Sequence, residues 1–162
     1  MIEKEVIDNF LPQNEFNFIR ESLAEAGFYW GFIPTSVSGE KAQLVHLFCD
    51  AIMGFTSPHA QRLVAPLVDK LQPRAILKAK ANLQWQRDKI IEDPLHVDFH
   101  NIQATTSILY INTCNGYTHF EDGSKVHSVA NRLVSFPTQT LHAGANCTDE
   151  MARMVINFNY HK

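Results

Sequence analysis

The sequence predicts a mainly β protein in which a helical N-terminal part supports a strand-rich C-terminal body, folded as one domain over residues 1–162. Three observations carry this expectation. Apolar residues recur at helical spacing in two segments before residue 73. From residue 75 onward the apolar period drops to two. Turn residues then separate one short apolar segment from the next. A length of 162 residues suits one domain with a real core.

In order along the chain, LPQNEFNFIRESLAEAG places Phe16, Ile19, Leu23 and Ala26 three or four residues apart, with Gly27 as the stop. FYWGF is aromatic and packs against the main body. QLVHLFCDAI reads as a second short helix. SPHAQRLVAPLVDKLQP is a stronger helix. Ser57 stands at the N-cap and Pro58 at the first helical position. Leu63, Leu67, Val68 and Leu71 form its stripe, Pro66 threatens a kink, and Pro73 ends it. Residues 1–73 are thus expected to be mostly helical support, and 74–162 the β core.

RAILKAKANLQWQ alternates. Leu77, Ala79, Ala81, Leu83 and Trp85 share one face; Lys78, Lys80, Asn82, Gln84 and Gln86 share the other. IQATTSILYINT is rich in β-branched residues and reads as a strand. Asn115-Gly116 marks a turn before NGYTHF, and EDGS marks another before KVHSV. NRLVSF and MARMVINFNY complete the strands. Short strands punctuated by turns indicate a sandwich or barrel.

Composition narrows the function classes. Apolar residues at 45% and charged residues at 19% are ordinary for a globular protein. A net charge of −3 gives no broad basic field, which argues against tight nonspecific binding to nucleic acid. The acidic MIEKEVIDNF lacks the apolar core of a secretory signal, and no run approaches a membrane span. Cys49, Cys114 and Cys147 are far apart in sequence and odd in number. They read as packing residues in a reducing compartment, and a cytoplasmic location is expected.

The stretch DPLHVDFH carries the chemistry. Residues two apart on a strand share a face, so His96 and Asp98 converge on one ion, and His100 joins them only if the strand runs straight. A third ligand must come from His119, His127, His142 or His161. His142 is favoured, because it ends a hydrophobic segment and the small residues around it leave room. His119 and His127 sit in a turn-rich hairpin, and His161 is expected to fray at the terminus. Two imidazoles and one carboxylate suit Fe(II) with open positions, and also zinc. Arg153 opens an otherwise apolar strand eleven residues after His142. It reads either as a strand-end side chain reaching solvent or as a fork for a carboxylate.

The order HVD, then HAG, then arginine at the start of the last strand resembles the 2-oxoglutarate- and Fe(II)-dependent dioxygenase superfamily, and most of all its prolyl-4-hydroxylase-like branch. TTSILYINTCNGYTHFEDG and NRLVSFPTQTLHAG resemble that branch over residues 74–160, about half of the chain. The resemblance implies a double-stranded β-helix (jelly roll). It implies Fe(II) on His96, Asp98 and His142, 2-oxoglutarate on Arg153 and Tyr110, and O2 as oxidant. Gln84 and Asn82 stand where the branch often has a pocket tyrosine, and are carried over as co-substrate contacts. NGYT replaces the usual Gly-Gly pair. The implied reaction hydroxylates a C–H bond of a peptide or small molecule, a prolyl residue among them, and releases succinate and CO2. His100 is expected at the rim, and Trp85 and Phe99 in the core or pocket wall. The rival readings are a cupin-like metal-binding isomerase or sugar-binding module, and a β-sandwich interaction domain without chemistry.

Overall fold

A computed structural model describes residues 2–34 and 42–162. Its elements are β1 (Glu5–Ile7), α1 (Gln13–Ala24), β2 (Gly31–Ile33), β3 (Gln43–Asp50), β4 (Gly54–Phe55) and α2 (Ala60–Leu71). The strand-rich part follows with β5 (Ala75–Trp85), β6 (Thr105–Tyr110), β7 (Tyr117–Phe120) and β8 (Lys125–His127). It ends with β9 (Leu133–Pro137), β10 (His142–Gly144) and β11 (Ala152–His161). The strands form two sheets, and every pairing is antiparallel. The large sheet runs β1-β9-β6-β11-β5-β3-β2, with β4 beside β3; the small one runs β10-β7-β8. This is the jelly-roll arrangement expected.

Period two decides where the two sides of the large sheet look. On β11, Ile156, Phe158 and Tyr160 join Ala79 and Ala81 of β5 in a core covered by α1 and α2 through Phe16, Ile19, Leu63 and Leu67. The opposite faces of β11, β6 and β9 meet the small sheet. There Ile108, Tyr110, Phe120, Val134, Phe136 and Val155 form a second cluster. The polar face of β5 looks toward the small sheet as well. Lys78, Lys80, Asn82 and Gln84 therefore line an internal cavity rather than bulk solvent.

Several expectations need correction. Residues 43–52 are not a helix: β3 covers 43–50 and pairs with β5 and β2. A short apolar run fits either state, and here the open edge of β5 supplies the hydrogen-bond partners. Among the described residues of 1–73, two 12-residue helices stand beside four strands, so this part is mixed rather than mostly helical. Helix α1 stops before Ala26, which is exposed. Helix α2 starts after Ser57, with His59 at the N-cap, and continues through Pro66. His161 does not fray: at the end of β11 it pairs with Ala75 of β5, and its carbonyl accepts the Arg74 N–H at 2.9 Å. Among the described residues no helix is long and apolar enough to cross a membrane.

Candidate active site

His96 and His142 are joined through their backbones. Each N–H donates to the other's carbonyl at 3.0 Å, so residue 96 pairs with the outer edge of β10. A second bridge, Glu92 to Ala145, makes residues 92–96 an irregular fourth strand of the small sheet. The chain then bends at Asp98 instead of continuing extended. The convergence of His96 and Asp98 therefore comes from a bridge followed by a bend, and the alternation of a straight strand is not its cause. The bend leaves His100 exposed and outside the cluster.

One ligand atom from each of His96, Asp98 and His142 lies within 4.8 Å of the others. His96 Nε2 is 3.9 Å from Asp98 Oδ1, and His142 Nε2 is 3.8 Å from Asp98 Oδ2. Two donors each about 2.1 Å from one ion are at most about 4.2 Å apart, so both separations fit a shared cation. His142 Nδ1 faces the Thr140 carbonyl at 2.9 Å. A carbonyl only accepts, so Nδ1 carries the proton and Nε2 keeps its lone pair for the cluster. Burial lowers the pKa of His142 against the pull of Asp98, which favours the neutral, ligating imidazole.

Asp98 is held by two donors that the sequence did not announce. Thr106 Oγ1 and Asn159 Nδ2 each donate to Asp98 Oδ2 at 2.8 Å, and Asn159 also donates to Thr106 at 2.9 Å. Burial opposes ionisation. His142, these two hydrogen bonds and His96 outweigh it, and the carboxyl is held below its usual range. Thr106 and Asn159 face each other on β6 and β11, so the register of the large sheet builds the cradle.

Beyond the cluster the cavity, of ≈ 160 Å³, reaches Arg153, which is only 5% exposed. Arg153 does not reach solvent. Its Nη2 donates to Thr118 Oγ1 at 3.1 Å, and the guanidinium lies 5.4 Å from the centre of the Tyr110 ring. Among the described residues no carboxylate lies within ion-pair distance of it, and its Nε has no hydrogen-bond partner. A buried guanidinium in that condition can take an anion. Two glycines make the room. A Cβ on Gly116 would stand 2.6 Å from Arg153 Cδ, and one on Gly144 would stand 3.2 Å from Arg153 Nη1.

The other expected contacts divide. Gln84, opposite Arg153 in register, lines the cavity; its Nε2 donates to Asp93 Oδ2 at 2.6 Å, and its Oε1 is buried without a partner. Asn82 lines the cavity with an unpartnered Oδ1. Tyr110 does not line it. Its hydroxyl donates to Thr118 Oγ1 at 2.8 Å, and burial raises its pKa against the Arg153 charge. Thr118, which the sequence reading missed, stands between Tyr110 and the cavity. Of the remaining histidines, His119 Nε2 lies 3.1 Å from the Asp93 carbonyl, and His127 is exposed on β8. Trp85 and Phe99 are half-buried. The three cysteines are free and buried, and burial with neighbouring Cys114 pushes the Cys147 thiol up to about 11.

No family model and no curated protein matches the chain. Solved structures do. A prolyl-4-hydroxylase from Pseudomonas putida matches with a TM-score of 0.60 at 14% identity, covering 100% of this chain and 94% of that one. A 2OG-Fe(II) oxygenase family oxidoreductase from Burkholderia pseudomallei matches with a TM-score of 0.68 at 11% identity, covering 97% and 84%. A non-heme alpha ketoglutarate dependent epimerase from nogalamycin biosynthesis matches with a TM-score of 0.68 at 18% identity, covering 99% and 78%. The chain shares the fold of these oxygenases.

Proposed function

We propose that this protein is a 2-oxoglutarate- and Fe(II)-dependent oxygenase, with residues 1–162 acting as one catalytic domain. One observation carries the reading: the cluster of His96, Asp98 and His142 opens on the same cavity as the buried Arg153. The spacing supports it. Arg153 reaches the level of Gly144 and Thr118, which are register partners, whereas the metal ligand His142 lies two residues before Gly144. Two strand residues span roughly 6.6 Å. A five-carbon dicarboxylate is about 5 Å from first to last carbon, so it bridges the two seats.

In this reading His96, Asp98 and His142 hold the iron, and Arg153 with Thr118 holds the far carboxylate of 2-oxoglutarate. Fe(II), 2-oxoglutarate and O2 together supply an oxidant that turns a C–H bond into C–OH, and succinate and CO2 leave. The protein's part is geometric and electrostatic. Thr106 and Asn159 keep Asp98 ionised and aimed. Thr140 fixes the His142 tautomer. Tyr110 holds Thr118 against Arg153. Gln84 and Asn82 offer polar atoms to the co-substrate flank. The substrate is a peptide, with a prolyl residue as its reacting unit, or a small molecule; the similar folds include both a prolyl-4-hydroxylase and an epimerase from nogalamycin biosynthesis.

Anaerobic addition of Fe(II) and 2-oxoglutarate tests this reading. A weak visible charge-transfer band is expected in the wild type and none in Asp98→Ala. No band in the wild type, with zinc held tightly instead, would leave a metal-binding sandwich without oxygenase chemistry.

A further inference from the structure

Two lysines remain unexplained by metal and co-substrate. Lys78 and Lys80 project from β5 into the cavity that holds the cluster and Arg153. Their register partners on β11 are Asn159 and Asn157, and Asn159 is the residue that donates to Asp98. The lysines therefore lie on the Asp98 side of the cavity, at the end of β5 away from Arg153. Gln84, opposite Arg153, is four residues from Lys80, roughly 13 Å along the strand. A co-substrate about 5 Å long, seated on Arg153, does not extend to a second seat that far along.

Charge sharpens the point. The described lining residues include three cations (Lys78, Lys80 and Arg153) and two carboxylates, Asp93 and Asp98. A divalent metal and a doubly charged 2-oxoglutarate cancel each other, which leaves the described lining residues one positive charge in excess. Lys78 shares the field of Asp50, its register partner on β3. Lys80 shares the field of Asp98, the carboxylate given over to the metal. Among the described residues the Lys80 ammonium has no carboxylate within ion-pair distance. Burial and neighbouring Lys78 lower its pKa, as expected for an ammonium that lacks an adjacent anion.

We propose that Lys80, with Lys78, binds an anionic group of the substrate, so that the substrate is an acid whose carboxylate or phosphate lies a few bonds from the reacting C–H. This inference rests on the oxygenase reading. It favours a small acid over a residue inside a peptide, where the neighbouring groups are neutral amides. An ammonium on the Asp98 side of the cavity fixes one end of the substrate and leaves the adjacent carbon facing the oxidant. It also rejects the uncharged analogue, because that analogue would leave the lysine desolvated and unpaired.

The test is anaerobic calorimetric titration of the Fe(II)- and 2-oxoglutarate-loaded protein with matched pairs. Common amino acids and hydroxy acids are set against their primary amides, and nucleoside 5′-monophosphates against their nucleosides. At least one acid is expected to bind about tenfold or more tightly than its neutral counterpart. Lys80→Met should remove that preference and Lys80→Arg should retain part of it. Lys78→Met, which removes the second ammonium, should weaken it while the three ligands stay in place. The charge-transfer band is recorded for every variant. A band together with no charged preference, or a preference that survives Lys80→Met and Lys78→Met, overturns the anion seat and leaves the oxygenase reading standing. No band in the wild type takes both down.

Discussion

Asp98 stands at a bend with both oxygens committed: Oδ1 faces His96, while Oδ2 faces His142 and takes two hydrogen bonds. The double mutant Thr106→Val with Asn159→Ala should therefore weaken metal binding by about 10–100-fold while leaving all three ligands in place, read by competition with a chromophoric chelator. Arg153→Met should act at the other end. Losing a charge-assisted contact worth about 1.5–3 kcal/mol should raise the 2-oxoglutarate Kd by roughly 10–150-fold and spare metal affinity. Unchanged co-substrate affinity would remove Arg153 from the site. Much of this was legible in sequence, because ligand types, their order and an arginine on an apolar strand are all local facts. The residues that orient them were not. Thr106, Asn159 and Thr118 look like ordinary strand residues, and only sheet register brings them to Asp98 and Arg153. Tyr110 lies on the strand the sequence pointed to, and its hydroxyl meets Thr118, which in turn takes a hydrogen bond from Arg153.

Among elements, the short strand β10 matters most for its size, since its three residues carry His142 and Gly144. Gly144→Ala should leave the metal ligands alone and crowd Arg153 from 3.2 Å, weakening 2-oxoglutarate more than iron; paired titrations of the two read this directly. Strand β3 shows why part of the fold stayed hidden. QLVHLFCD lacks clean alternation because it is partly covered on both sides, and the pairing with β5 that decides its state lies some thirty residues away. The segments from β5 onward alternate or are flanked by turn residues, so their state was readable. Within β3, His46 gives a pH signature remote from the metal. Its Nδ1 faces the Tyr29 carbonyl and its Nε2 faces Ser57 Oγ, each at 2.6 Å. The ring is thus bonded in its neutral form. Burial lowers its pKa below the ordinary 6.5, in part opposed by the Tyr29 carbonyl. The unfolded chain therefore binds this proton first as pH falls. The stability His46 contributes is complete above pH 6.5 and is lost as pH drops through the depressed folded value. The Tm of the wild type should fall between pH 7 and pH 5 more steeply than that of His46→Gln.

At the scale of the whole molecule, the site is assembled from both sheets. The small sheet brings His142, Thr118 and the bridged His96; the large one brings Arg153, Asn159, Thr106 and the lysines. Two glycines and several unpartnered polar atoms keep the space between them polar. Without ligands that interior is costly, because among the described residues Arg153 Nε and the amide oxygens of Asn82, Gln84 and Asn157 lack partners there. On the oxygenase reading, iron and 2-oxoglutarate would supply those partners only when both sheets are in place, so their binding energy would add to folding energy. At a hundredfold excess over Kd, a ligand that binds only the folded state adds about 2.7 kcal/mol. For a chain of this length each kcal/mol moves Tm by about 2–4 °C, so saturation should raise Tm by roughly 5–10 °C. The order of addition distinguishes the seats. Metal alone should give part of the shift, 2-oxoglutarate alone little, and the pair more than the sum, because the ion completes the second anchor of the dicarboxylate. Asp98→Ala should abolish the shift from both ligands, whereas Arg153→Met should keep the metal's share and lose the rest. Equal shifts from 2-oxoglutarate with and without metal would mean that the dicarboxylate binds elsewhere, and that the bridge across the two sheets is wrong.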